Sequence, residues 1–303
     1  MARGCTQCGA AVEVPSGVFS TSCPFCDSPL VEVEAAQSAI DAVVPFVITK
    51  AQAARLLREH LAAAWLAPES VRRVARAEEL DAVLLPFTAV DACTRSTYSA
   101  TIGVDWYRTE TYTTTENGKT VVRTRQVRET EWFPLSGEHG RRWFDHLVSA
   151  SRGLPEAEAN ALEPYDLGRA LPFDPALTAG VLAELPSVSA DEQRKVLADE
   201  LSQRAARDIE RSLLPGDRSS QLHVSTRSDV ERSRTVLLPV WIAAVAGPKG
   251  PLRVLVNGQT GEVVGDLPRS WWKIAALVVV ALLVGFAVVS CVLGCGAVMG
   301  ALR

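Results

Sequence analysis

Two cysteine pairs, Cys5-Thr6-Gln7-Cys8 and Cys23-Pro24-Phe25-Cys26, stand near the start of the chain with 14 residues between them. Two residues between cysteines let one tight turn aim both sulfurs at a single ion, and four thiolates make the tetrahedral set that Zn²⁺ prefers. Gly9 follows the first pair, where backbone amides crowd a thiolate, and Pro24 presets the second turn. Two disulfides would use the same residues, but the opening Met-Ala-Arg-Gly shows no apolar stretch of a secretion signal. The spacing therefore predicts one structural zinc held by Cys5, Cys8, Cys23 and Cys26, with no ligand position left for water or substrate.

Other chemistry is sparse. Asn117-Gly118-Lys119-Thr120 contains Gly-Lys-Thr, but Thr113 stands where a phosphate-binding loop needs its first glycine, so the segment reads as a hairpin turn. His60, His139, His146 and His223 are scattered. His139 and His146, near Glu138 and Asp145, read as a solvated loop, and Cys93 as a small buried apolar residue on a strand. No catalytic residue is assigned and the chain reads as non-enzymatic.

The cysteine pairs must be carried by a larger frame. From Ile274 to Leu302 no residue is charged, and Ile274 to Leu293 alone is 20 residues, about 30 Å of helix and the thickness of a bilayer core. Trp271-Trp272-Lys273 has the composition of an interfacial belt, and Arg269 with Lys273 predicts that the N-terminal part faces the cytoplasm. The expectation is a single-pass tail anchor over 269–303 in the cytoplasmic membrane, with Pro268 breaking the chain away from the body. Gly296 and Gly300, with Cys291 and Cys295 one turn apart, lie in that segment.

Between ribbon and anchor lie about 230 residues, enough for one large or two small cores. One unit recurs there. Val83 to Val90 and Val236 to Ala243 are apolar runs of strand length, each with a proline expected at an edge or bulge. Thr49 with Gln52, and Ser189 with Glu192, form capping boxes that open amphipathic helices before each run. Hairpin signals follow each, around Asn117-Gly118 and around Asn257 to Gly261. The fold class predicted is α+β: a zinc ribbon at 1–36, a first lobe at 37–150, a connector at 151–187, a second lobe at 188–268 and a transmembrane helix. The two lobes make a duplicated helix-plus-antiparallel-sheet body.

Charge bears on partners. Residues 1–35 carry one base, Arg3, against Glu13, Asp27, Glu32 and Glu34, a net −3 that opposes phosphate binding. Residues 95–152 carry nine bases and seven acids that alternate in sign, the pattern of a solvated sheet face.

The cysteine pairs, Val44-Pro45-Phe46, Leu85-Pro86-Phe87, Leu162-Glu163-Pro164-Tyr165-Asp166-Leu167, Leu171-Pro172-Phe173 and Val256 to Gly265 resemble the bacterial TFIIB-type zinc-ribbon proteins, over nearly all of the chain before the anchor. Members are often labelled primosomal or helicase-like, yet no motor motif is present here. Some membrane-anchored relatives are similar to components of phage-shock-type envelope-stress systems, where a zinc-ribbon membrane protein works beside an SPFH-domain scaffold. The resemblance implies an adaptor with a protein partner, possessing no catalytic residue. Asp27 departs from the glycine common at that position. A membrane-tethered nucleic-acid-binding protein, and an enzyme whose site the sequence does not reveal, are the alternatives.

Overall fold

A computed structural model describes residues 2–68, 80–116, 119–247, 250–265, 267 and 270–285. Two short hairpins open the chain: β1 (Ala2–Gly4) with β2 (Ala11–Glu13), and β3 (Val18–Ser22) with β4 (Pro29–Val31), each carrying a cysteine pair in its turn. There follow α1 (Val33–Ala39), β5 (Ala42–Val43), α2 (Lys50–Ala63) and the long strands β6 (Leu80–Glu116) and β7 (Lys119–Ser149). Then come α3 (Glu156–Leu162), β8 (Leu171–Pro172), β9 (Leu182–Glu184), α4 (Ala190–Ser212), β10 (Arg218–Gly247), β11 (Gly250–Asn257), β12 (Val263–Val264) and a helix α5 over 271–285.

All strands but β1 and β2 join one ten-stranded sheet, ordered β12-β11-β10-β6-β9-β3-β4, with β7 on β6, β5 on β10 and β8 on β5. The two apolar runs are its centre. They pair antiparallel with each other, Val83 opposite Val240 and Phe87 opposite Val236. The separate lobes expected at 37–150 and 188–268 are thus one body, because each run finds its best-matched apolar partner in the other. The same element order occurs twice, as β5-α2-β6-β7 and as β9-α4-β10-β11, and the pairing is reciprocal: β5 lies parallel to β10, and β9 parallel to β6.

The two prolines sit in these central strands and not at an edge or bulge. Pro86 lies where β9 stops beside Leu84 and β7 begins beside Phe87; Pro239 lies where β5 stops beside Leu237 and β11 begins beside Val240. A missing N–H breaks no ladder at such a handover. Both carbonyls are used: Pro86 accepts from the Ala150 amide at 3.0 Å and Pro239 from the Gly258 amide at 2.8 Å.

Alternate residues Val83, Leu85, Phe87 and Ala89 join Val236, Leu238 and Val240 in a cluster closed by Leu154, Ala159 and Leu162 around α3. α2 buries Ala53, Ala54, Leu57 and Leu61 against Leu80, Trp241, Val254 and Val256. α4 packs Leu197 and Leu201 on Val90, Ala92 and Val148. Both capping boxes form, with the Gln52 amide on the Thr49 hydroxyl and the Glu192 amide on the Ser189 hydroxyl, each at 3.3 Å. Leu213 and Trp65 lie just beyond the helix ends and are exposed.

The expected connector at 151–187 is structural. Its β9 bridges the ribbon to the body, pairing β3 on one side and β6 on the other. Asn257, fully buried, donates to the carbonyls of Leu162 (2.8 Å) and Pro164 (3.1 Å) and accepts from the amides of Gln259 (2.8 Å) and Thr260 (3.0 Å). Gly261, at φ +84°, closes that turn, and a Cβ there would meet the Leu56 side chain at 2.7 Å. The proline-rich segment is therefore stitched to the second hairpin.

Asp91 stands where β6 changes register with both neighbours, between Val90 and Ala92 on the β7 side and between Val230 and Arg232 on the β10 side. Its nearly buried carboxylate accepts the Asp145 amide at 2.9 Å and Arg232 Nη2 at 2.7 Å. Asp145 takes the left-handed conformation, φ +49°. The Asp145 amide and then Arg232 hold the Asp91 carboxyl below its usual range, against the desolvation that opposes ionisation.

Beyond Gly103, where β10 leaves, β6 and β7 continue alone as a two-stranded arm from Val104 opposite Glu131 to Glu116 opposite Lys119, about 40 Å long. Asn117 and Gly118 lie outside the described residues. Lys119 and Thr120 belong to β7. The alternating charges pair across the arm, Arg108 with Glu129 at 2.9 Å and Arg125 with Glu110 at 2.8 Å.

α5 is described for 15 residues, about 22 Å. Among the described residues no helix is long and apolar enough to cross a membrane. The expected span from Ile274 to Leu293 lies only partly within them, and Cys291, Cys295, Gly296 and Gly300 lie outside.

Two outcomes follow. Deleting 108–127 and joining Tyr107 to Arg128 through Asn-Gly leaves the body folded, with its denaturant-measured stability moved by no more than about 0.5 kcal/mol, as for surface changes. Because the folded Asp91 pKa is depressed, its contribution is present above the unfolded value near 4 and is lost as pH falls through the lower folded one. Asp91→Asn is accordingly less stable than the parent at pH 7, and urea titrations show the difference closing in acid.

Candidate metal centre

The two cysteine turns are built alike. The Gly9 amide donates to the Cys5 carbonyl and the Asp27 amide to the Cys23 carbonyl, both at 2.9 Å, while the Cys5 and Cys23 amides donate to Ala10 and Ser28 carbonyls, both at 2.8 Å. The residue after each second cysteine is left-handed, Gly9 at φ +75° and Asp27 at φ +55°. Asp27 thus occupies the conformation that glycine takes in the first turn, as a short polar side chain tolerates.

This repeated turn brings the four sulfurs together. Cys5 lies 3.6 Å from Cys26 and Cys8 lies 3.8 Å from Cys23, and all four sulfurs lie within 4.8 Å of one another. They are free thiols, far beyond the disulfide bond length of about 2.05 Å. Cys5 and Cys23 are buried on Val12, Val14, Val18 and Leu30, with Leu182 of β9 packed against that small core. Cys8 and Cys26 face outward. Arg3 clamps the first hairpin onto the second, donating to the Val18 carbonyl at 3.3 Å and pairing with Glu32.

Ser28 completes the surroundings. Its hydroxyl lies 3.1 Å from the Cys5 sulfur and 3.0 Å from the Cys26 sulfur. That hydroxyl, then the Cys8 and Gln7 amides, draw Cys5 down to about 6; Ser28 likewise lowers Cys26. On Cys8 the Ala10 amide favours the thiolate, but the Cys26 sulfur, desolvation, and the Cys5 and Cys23 sulfurs together push it up to about 12. Four thiols this close cannot all ionise without a cation among them. The cluster is fitted to hold a metal ion through Cys5, Cys8, Cys23 and Cys26.

The remaining candidates fall elsewhere. His139 and His146 lie in strand β7, which corrects the solvated loop. His146 is buried, its Nε2 2.8 Å from Glu200 of α4, and Glu200 also accepts from Asn160 of α3. Glu156 nearby accepts the Ser149 amide at 3.1 Å; burial first, and then the carboxylates of Glu200 and Glu163, push it up to about 7. This cluster ties β7, α3 and α4 together, and its members are too distant in sequence to form a motif. Cys93 is half-buried, not apolar in its surroundings: its thiol donates to Glu231 at 2.9 Å, and that hydrogen bond raises its pKa. His60 lies in the last turn of α2 and His223 is exposed on β10. Ser28 was missed by sequence reading, although a hydroxyl residue two places after a cysteine knuckle was a usable signal.

No family model matches the chain, and no solved structure matches it. It is 26% identical over 237 residues to an uncharacterized protein, YdjG, of Bacillus subtilis (strain 168), an alignment covering 77% of this chain. The chain spans 65% of the length of that curated relative.

Elemental analysis of the protein prepared under reducing conditions should find one metal ion per chain; Cys8→Ser combined with Cys26→Ser should remove it, whereas Cys93→Ser should leave it in place.

Proposed function

We propose that the chain is a non-enzymatic, membrane-anchored zinc-ribbon adaptor that docks a protein partner at the cytoplasmic face of the membrane. The sulfur geometry carries the reading. A tetrahedron about Zn²⁺, with Zn–S of about 2.3 Å, has edges of about 3.8 Å, and the Cys5–Cys26 and Cys8–Cys23 separations are 3.6 and 3.8 Å. Bound there, zinc cross-links the two turns. With four cysteine ligands the ion keeps no open position, so it stabilises a surface module instead of activating a substrate. A rigid module on the flank of a sheet is suited to present its surface to another protein.

The anchor rests on α5. Its described part exposes Leu277, Val278, Val280, Leu282, Leu283 and Val284, and the uncharged sequence continues to Leu302. A bilayer is the solvent that such a surface favours. Arg269 and Lys273, both before the apolar run, support a cytoplasmic body. The resemblance to TFIIB-type zinc-ribbon proteins that work beside SPFH-type scaffolds points to the class of partner.

Nucleic acid fits poorly. The ribbon's one base, Arg3, is already engaged by Glu32 and the Val18 carbonyl, and the net charge of residues 1–35 is −3. Affinity should be no tighter than about 10⁻⁴ to 10⁻⁶ M at physiological salt.

Affinity purification of full-length protein from gently solubilised membranes tests the proposal. A membrane-associated protein partner should be recovered with the parent and lost with Cys8→Ser/Cys26→Ser, which stays in the membrane fraction. Submicromolar binding to DNA or RNA, lost in the same variant, would replace the adaptor by a nucleic-acid-binding protein.

A further inference from the structure

The junction between the body and α5 is not a loose tether. α2 ends at Ala63, and the chain turns through Trp65, Leu66 and Ala67. Onto that turn the start of α5 is fastened. The Ser270 amide donates to the Leu66 carbonyl at 2.7 Å. The Lys273 ammonium donates to the Trp65 carbonyl at 2.7 Å and to the Ala67 carbonyl at 2.8 Å. These carbonyls lie just past a helix C-terminus, where the dipole favours a cation. Pro268 lies outside the described residues, but Ser270 and Lys273 are bound to the body, contrary to the break expected there.

The fastening brings three tryptophan residues to one junction, because the carbonyls of Trp65 and Leu66 are bonded by Lys273 and Ser270, on either side of Trp271 and Trp272. Trp271 and Trp272 stack with centroids 4.3 Å apart and are 65% and 68% exposed; Trp65, whose carbonyl holds Lys273, is 55% exposed. An indole joins a large apolar ring to one N–H donor, so it gains most at the boundary where lipid headgroups meet acyl chains. The apolar helix begins at the same point.

Resting on the membrane reading of α5, we infer that Trp65 and the turn after α2 form, with Trp271 and Trp272, a footing that seats the body directly on the phospholipid headgroup boundary. The occupant of this surface is the bilayer itself. Continuity decides this: the patch adjoins α5, whose exposed apolar residues demand lipid, and Lys273 holds the two at fixed distance. The body then stands on α2 instead of swinging from the anchor.

The test uses full-length protein in phosphatidylcholine vesicles, with and without phosphatidylcholine brominated near the headgroup. The emission of Trp65 is obtained as the difference between parent and Trp65→Phe. Expected is a blue-shifted emission that loses most of its intensity to the brominated lipid and is shielded from aqueous iodide. Emission that iodide quenches and brominated lipid does not, while the remaining tryptophans keep their lipid quenching, would overturn the footing and leave the anchor standing. Release of the whole protein by alkaline carbonate would instead overturn the membrane reading, and the footing with it. Lys273→Met, with unchanged far-ultraviolet circular dichroism, should stay carbonate-resistant but lose the lipid quenching of Trp65. Unchanged quenching in that variant would overturn the role given to the lysine.

Discussion

The antiparallel pairing of β6 with β10 is the constraint on which the rest of the structure depends. It runs from Leu80 opposite Ala243 to Gly103 opposite Arg218, and its apolar half is the centre of the core. A slip by one residue would exchange the two faces of every side chain in it. Three features hold the register: the two prolines at strand handovers, and Asp91 at the paired register shifts, with one carboxylate joined to both neighbouring strands. β9, β5 and β11 attach to this pair, and through them the ribbon, α2 and the start of α5 acquire their places.

Within that frame Val44-Pro45-Phe46, the segment from Leu162 to Leu167 and the turn from Asn257 to Gly261 converge. Val47 and Ile48, just after Val44-Pro45-Phe46, donate their amides to the Gly258 carbonyl at 2.9 and 2.8 Å, and Phe46 packs on Trp241 at 5.0 Å between ring centroids. Asp166 and Gln259 exchange two hydrogen bonds, of 2.7 and 3.0 Å, beside buried Asn257. These are satisfied polar networks in a core, which specify one arrangement because an unpaired partner there is costly. The four-cysteine cluster stands apart, with its own small core on Val12, Val14 and Leu30, and touches the body's apolar interior at Leu182.

Legibility followed range. The cysteine turns, the Thr49 and Ser189 capping boxes and the turn from Asn257 to Gly261 formed as read, since each closes hydrogen bonds within a few residues. The arm from Val104 was legible as a hairpin from Asn117-Gly118, and its alternating charges as a solvated sheet face because they pair across adjacent strands. The segments misread were those whose partners are distant. Residues 137–146 look like a polar loop until Glu200 of α4 is placed over His146, and 151–187 looks like a linker until β9 is placed between β3 and β6.

By itself the sequence determined the four cysteines that gather in one cluster, the two helices with their caps and the apolar run that begins at α5, because local turn chemistry and periodicity carry that information. Only the tertiary structure decided that the two similar units form one sheet by pairing with each other, that Ser28 lies between two of the sulfurs, and that Lys273 is bound to the carbonyls of Trp65 and Ala67. The physical reason is that apolar strands state that they must be buried but not against what. The choice of partner depends on shape and register matched between residues more than a hundred positions apart.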